Sequence, residues 1–351
     1  MNVSLRPKNN HQATAADGSS AGVVQNTTTC DDYLYHKEPV VVDKQSLNYV
    51  FRSGIAGGAA GCAAKTLIAP LDRVKILFQT SNPSFRKYTG SWLGFYRAGR
   101  HIYSTDGVLA LFQGHSATLL RIFPYAAIKF VAYEQVRSLL IPSKQQETSA
   151  RRFVAGSLSG LVSVFFTYPL DLVRVRLAYD TTSHSSPRGR LIHVMKKIYG
   201  ERQEGLRNFY KGFVPTIAGM IPYAGVSFWA HDAFHDLFRT KLLAPYAVQD
   251  DVPISGTSRP PLTAWAQLTA GGLSGLCAQT ASYPLEVIRR RMQVSGETGE
   301  RIGMFKMGKS IVATRGFRGL FVGLSIGYIK VTPMFACSFF VYERVKLLLG
   351  I

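Results

Sequence analysis

Long runs of small and apolar residues alternate along this chain with polar, base-rich segments. The first run, "FRSGIAGGAAGCAAKTLI", ends in "APLDRVKILFQ", which sets a proline, an acid and two bases at the edge of a segment otherwise suited to lipid. The same ending returns as "PLDLVRVRLA" from Pro169 and as "PLEVIRRRMQ" from Pro284. After each comes a short polar piece such as "SWLGFYRAGRHI", which reads as an amphipathic surface helix. A second apolar run then starts at Gly114, Gly212 and Gly323 and carries a proline near its first third. Proline is tolerated inside a membrane helix when neighbours satisfy the freed backbone. The pattern predicts an all-α membrane protein with six transmembrane helices in three pairs, each pair bridged by a short helix.

Two further motifs recur in the same order. "DGVLALFQG", "EGLRNFYKG" and the degraded "RGFRGLFVG" form one series; "YEQVR", "HDAFH" and "YERVK" form the other. Three motifs in one order, three times, mark internal repeats. The spacing from Pro70 to Tyr133, Pro169 to His231 and Pro284 to Tyr342 is 63, 62 and 58 residues. This gives a tail over 1–47, repeats over 48–141, 150–240 and 263–349, and an inserted loop over 241–262 that is rich in proline and turn residues. The first helix of each repeat holds small-xxx-small pairs: Gly54/Gly58 and Gly57/Gly61, Gly156/Gly160, and Gly271/Gly275. These are expected to let helix backbones approach closely.

Composition narrows the class. Only 18% of residues are charged, yet the net charge is +20, and mean hydropathy is a modest +0.05. The bases gather at the ends of apolar runs rather than on a polar domain, which favours a membrane surface or an anionic solute over nucleic acid. The loops 80–113, 179–212 and 294–323 hold sixteen bases against six acids, while 141–150 and 240–262 are neutral. The positive-inside rule then turns the three long loops toward the negative compartment and both termini away from it. The tail lacks both a signal-peptide core and the Arg-rich make-up of a transit peptide, and is expected to be disordered. Cys30, Cys62, Cys277 and Cys337 show no paired spacing. No nucleophile–base pattern, metal spacing or P-loop is present, so neither an enzyme nor a metal or cofactor is expected.

The tripled motifs resemble those of the mitochondrial carrier family, over about residues 48–349. The resemblance implies six tilted helices in three pseudo-symmetric repeats around a central cavity, short matrix helices, an inner-membrane antiporter acting as a monomer, and cardiolipin as a lipid partner. An acid and a base three residues apart near the end of each odd helix can form a ring of salt bridges. The expected pairs are Asp72 with Arg174, Asp171 with Arg289 and Glu286 with Lys75. Gln79 and Gln293 stand where the family has a glutamine brace; the second repeat has Ala178. At the opposite end Glu134, Asp232 and Glu343 would meet His235, Lys346 and Arg137, with histidines in repeat two where an aromatic and a base are usual. Two rings that cannot both be open give alternating access.

By the same resemblance, substrate contacts lie 13 residues before the outer acids, at Arg121, Gly219 and Lys330. Gly219-Met220 matches the pair that family members for adenine-bearing solutes use. Tyr223, four residues on, would stack on the ring. Lys65 and Lys129 should also face the cavity. Cations inside a bilayer are costly unless functional, and bases suit phosphate. The residues themselves lead to a bulky anionic adenine nucleotide. "AKTLIAPLDRVKILFQ", "LLRIFPYAAIKF" and "YIKVTP" resemble the mitochondrial coenzyme A carriers within the family. The alternatives are an ATP-Mg/ADP or phosphoadenosine phosphate carrier and, from another class, a non-transporting membrane scaffold.

Overall fold

A computed structural model describes residues 47–350 apart from 92, 143–146, 182–186, 202–203, 241–242, 249–260 and 296–301. The expected disordered tail and most of the inserted loop lie outside the described residues. The helices are α1 Leu47–Gln79, α2 Gly94–Asp106, α3 Val108–Leu111, α4 His115–Leu140, α5 Ser149–Tyr179, α6 Pro187–Gly200, α7 Phe213–Phe238, α8 Ala244–Ala247, α9 Ala264–Val294, α10 Met304–Arg315, α11 Leu324–Ile329 and α12 Val331–Leu349. Each repeat is a long helix, a short helix and a second long helix. Four segments within these repeats are long and apolar enough to cross a membrane by composition: 51–79, 150–179, 205–238 and 317–349. The other two long helices fall short for different reasons: α4 carries Arg121, Lys129, Glu134 and Arg137, while the uncharged part of α9 is rich in glycine, alanine, serine and threonine and holds Gln267 and Gln279. The sixth long helix is broken at Lys330 into α11 and α12, three residues before Pro333. The proline has no N–H to donate to Ile329. Pro124 and Pro222 stay inside continuous helices.

The most extensive helix contacts cross between repeats: α4 packs on α5, α7 on α9 and α12 on α1. The stripes that make these contacts are alanine and serine rather than glycine. Ala56, Ala60 and Ala64 are buried on α1, Ala155, Ser159 and Ser163 on α5, and Ala266, Ala270 and Ser274 on α9. The glycine pairs therefore do not act as expected. A methyl group at Gly58 would meet the Phe123 ring at 2.9 Å, but one at Gly54, Gly57, Gly61, Gly156, Gly160, Gly271 or Gly275 would meet nothing within 4 Å. Four-residue spacing is shared by both stripes, and the sequence alone does not say which one turns inward.

Each short helix locks onto the C-terminal half of the long helix before it. Ile102 of α2 joins Val74, Leu77 and Phe78. Ile198 of α6 joins Leu172, Val173 and Leu177, and Ile311 of α10 joins Val287 and Ile288. Burying one such aliphatic side chain contributes about 1.5–3 kcal/mol. The C-terminal halves of α1, α5 and α9 thereby become three braced arms, and each arm touches the other two. The inserted segment is not wholly loop: α8 and an isolated bridge between Val248 and Leu262 cover Phe238 and Ala266 at the other end.

Candidate functional site: an ion-pair ring below a basic cavity

Where the three arms meet, the proline-acid-base motifs face one another around a ring. Arg174 donates to Asp72 at 2.8 Å, Arg289 to Asp171 at 2.6 Å and Lys75 to Glu286 at 3.0 Å. Every pair joins two different repeats. The Gln79 amide donates to Glu286 at 3.2 Å and the Gln293 amide to Asp171 at 3.2 Å. The tyrosines that precede two of the prolines complete these contacts. Tyr283 accepts from Gln79 at 3.0 Å and lies under Lys75; Tyr168 accepts from Gln293 at 3.2 Å and lies under Arg289. The third junction has Ala69 and Ala178 in these places. A cavity of about 10 Å³ remains there, lined by Ala69, Asp72, His115, Arg174 and Ala178.

The starts of the second long helices abut this ring. Gly114, Gly212 and Gly323 cap α4, α7 and α11 with φ of 83°, 81° and 86°. That backbone favours glycine, and space demands it too. A methyl group at Gly114 would stand 2.7 Å from the Arg174 carbonyl.

The ring holds more cations than the motifs supply. Lys330 donates to the second oxygen of Asp72 at 2.8 Å, and Arg121 to the second oxygen of Asp171 at 3.0 Å. Arg290 adds a third guanidinium to Asp171 at 3.2 Å. Lys65 lies near this group with its amine 3.6 Å from the Met334 sulfur. Three carboxylates thus stand among seven bases: Lys65, Lys75, Arg121, Arg174, Arg289, Arg290 and Lys330. The surplus of positive charge is what a multivalent anion would neutralise. The sequence placed Arg121 and Lys330 in the cavity but not on the ring acids. Arg290, Tyr168 and Tyr283 were missed. The repeated Tyr-Pro at 168–169 and 283–284 was the available signal for the tyrosines.

The remaining expected contacts are more open. Tyr223 is 48% exposed and Lys129 is exposed on α4. A methyl group at Gly219 would meet the Leu285 side chain at an ordinary 3.6 Å, so packing alone does not require glycine there.

The three outer pairs are not formed in this conformation. Glu134, Asp232 and Glu343 are exposed and, among the described residues, make no ion pair. Arg137 instead reaches Glu147 at 3.1 Å, Lys346 lies over the Tyr342 ring, and His235 stacks on His231 at 4.1 Å between centroids. One end of the bundle is closed by ion pairs while the acids of the other end stand apart.

Three helix pairs drawn together at one end by a ring of inter-repeat ion pairs are the fold of a membrane solute carrier. The mitochondrial carrier protein family model matches residues 47–144, 145–242 and 260–351. The chain belongs to the mitochondrial carrier family, and is a multi-pass transporter rather than an enzyme. It is 56% identical over 335 residues to mitochondrial carrier protein LEU5 of Saccharomyces cerevisiae, covering 88% of this chain and 93% of that one. It is 40% identical over 306 residues to solute carrier family 25 member 16 of Homo sapiens, covering 85% and 88%. It is also 40% identical over 306 residues to the mitochondrial coenzyme A transporter SLC25A42 of Xenopus laevis, covering 86% of each.

Proposed function

We propose that this carrier moves coenzyme A, or a closely related adenine nucleotide, across the mitochondrial inner membrane by alternating access. The observation that carries the reading is the sharing of cavity cations with the ring. Arg121 and Lys330 sit on Asp171 and Asp72, two of the three gate acids. Phosphate entering from the open end competes for both cations. Each one it takes leaves a gate carboxylate with fewer partners in a low-dielectric site, where unpaired charge is costly. Substrate binding then weakens the ring of Asp72, Lys75, Asp171, Arg174, Glu286 and Arg289, braced by Gln79 and Gln293. Closure of Glu134, Asp232 and Glu343 onto His235, Lys346 and Arg137 compensates at the other end. A solute shifts the carrier only by as much as it prefers one state over the other.

In this reading Gly219, Met220 and Tyr223 take the adenine, and Lys65, Arg121, Lys129 and Lys330 take the phosphates. The name of the Xenopus relative, a coenzyme A transporter, supports that choice among nucleotides. The basic loops face the matrix and both termini the intermembrane space. The protein acts as a monomer with cardiolipin bound. A cavity of about 550 Å³ between the first and third repeats, with Arg86, Arg315 and Arg318 on its wall, suits the lipid's phosphates. Uptake of labelled coenzyme A, ADP and phosphoadenosine phosphate by purified protein in liposomes tests the assignment. Coenzyme A uptake is expected to exceed the others. Preference for ADP or phosphoadenosine phosphate would move the assignment to those carriers, and no uptake of any would leave a scaffold.

A further inference from the structure

On the open side of the ring, the second long helix of each repeat carries residues that recur in tiers. On α4 the residues at four-residue steps from Arg121 are Tyr125 and Lys129; on α7 the steps from Gly219 are Tyr223 and Ser227; from Lys330 into α12 they are Met334 and Ser338. Residues four apart on a helix lie about 40° from one another and residues eight apart about 80°, so each series stays on one side of its helix while turning gradually around it. Arg121 fixes that side toward the bundle interior, because its guanidinium reaches Asp171 on α5.

The lowest tier is crowded with charge. Arg121 and Lys330 are there, with Lys65 beside them, and Arg121 and Lys330 are already engaged by Asp171 and Asp72. The middle tier is Tyr125, Tyr223 and Met334, flat rings and a soft thioether. The Arg121 guanidinium lies 5.8 Å from the Tyr125 ring centroid. The upper tier is Lys129, Ser227 and Ser338, with one cation in three positions. Lys129 is exposed and makes no ion pair among the described residues. At 1.5 Å per residue it stands about 12 Å along the helix from Arg121. The cavity therefore offers a strong anion site, then an aromatic shelf, then a single free amine.

We propose that Lys129 reads a second, separate phosphate group on the substrate, and that Tyr125 is the second aromatic wall of the shelf. This rests on the adenine-nucleotide reading above. The substrate class it selects is an adenine nucleotide with phosphate on both sides of the ribose. The diphosphate or 5′-phosphate goes down to Arg121, Lys330 and Lys65. The ring lies between Tyr125 and Tyr223. The 3′-phosphate meets Lys129, with Ser227 and Ser338 as neutral hydrogen-bonding neighbours. A nucleotide with phosphate on one side alone fills the lower site and leaves Lys129 without an anion.

The test compares matched pairs on purified carrier in liposomes: coenzyme A against dephospho-coenzyme A, and adenosine 3′,5′-bisphosphate against AMP. Wild type is expected to show a lower KM for the doubly phosphorylated member of each pair. Lys129→Ala should cut that preference about tenfold, the scale of one charge-assisted contact, with kcat changed less than KM. Lys129→Arg should restore it, which separates lost charge from lost folding. Tyr125→Ala should raise KM for both members of a pair in parallel, and Tyr125→Phe should not. Equal losses by Lys129→Ala on both members would mean general attraction of anions and would overturn the proposal, as would an unchanged preference. If wild type takes adenosine 3′,5′-bisphosphate but not coenzyme A, the coenzyme A assignment fails while the role of Lys129 is still read from the second pair. Transport of neither pair overturns both.

Discussion

At the scale of single residues, two bases of the proposed substrate site also touch the ring, Arg121 at 3.0 Å from Asp171 and Lys330 at 2.8 Å from Asp72. Replacing either with alanine should abolish nucleotide uptake and also loosen the closed ring. Each acid keeps another partner, so the cost should be about 1.5–3 kcal/mol, that of one hydrogen bond to a charged group. Thermal unfolding in detergent checks this; a variant as stable as wild type would show that the sharing carries no energy. The junction of Asp72 with Arg174 lacks both the tyrosine and the glutamine that the other two junctions have, and the cavity beside Ala178, about 10 Å³, has room for one water and not for a glutamine side chain. The brace is therefore tested by removal at another junction. Gln293→Ala should cost about 1–3 kcal/mol, lower the unfolding temperature and, on the proposed gating role, quicken transport. Slower transport with lower stability would refute that role for the brace. The ring pairs were legible in the sequence because acid and base recur at fixed spacing from a proline. The sharing was not, because Arg121 and Lys330 lie 50 and 258 residues from the acids they touch. No local spacing records such a contact.

At the scale of elements, the arms depend on their lower ends being held. In repeat two, Glu201 takes Arg176 of α5 at 2.8 Å and Lys211, just before α7, at 2.7 Å. Burial alone would raise the Glu201 carboxyl, but the hydrogen bond from Lys211 and the charge of Arg176 outweigh it and hold the group below its usual range. A depressed carboxyl adds stability that is present above its unfolded value and is lost as pH falls through the folded one. Wild type should therefore lose detergent stability as pH drops below about 4.3. Glu201→Gln should flatten that loss and cost about 3–5 kcal/mol at neutral pH by breaking a buried pair. An unchanged midpoint at pH 7 would show that the clamp is idle. By the alignment of Asp106, Glu204 and Arg315, the place of Glu201 is held by Tyr103 in the first repeat and Val312 in the third, so neither has this acid there. Arg315 itself is drawn below the usual range by burial and by Arg86. Helix number and order were legible in the apolar runs. Which stripe of each helix turned inward was not, because alanine and glycine stripes share one spacing and only packing on the neighbouring repeat chooses between them.

At the scale of the whole molecule, the two ends are built from unlike parts. The ring end is closed by two guanidinium groups and an amine, Arg174, Arg289 and Lys75. The outer end has Arg137, Lys346 and one imidazole, His235, in the position of the third base. A free imidazole titrates near pH 6.5, so this gate alone can lose one of its three bonds within the ordinary range. His235 stacks on His231 in the open arrangement, with Asp232, Asp236 and Arg239 as charged neighbours on α7 and in the turn after it. The first two turns of α9, packed alongside, bring Trp265, Gln267 and Thr269 but no charge. When the outer end closes, a protonated His235 would bond to Glu134. That pairing favours the proton, so the stabilisation is complete below the ordinary imidazole value and is lost as pH rises through the value in the closed state. Transport should accordingly quicken as the pH on the side of this gate falls from about 8 to 6. His235→Arg should keep the bond at every pH and flatten the profile, and Glu134→Gln should remove both the bond and the pH dependence. A profile that stays steep in His235→Arg would place the titrating group elsewhere, with His231 the next to test.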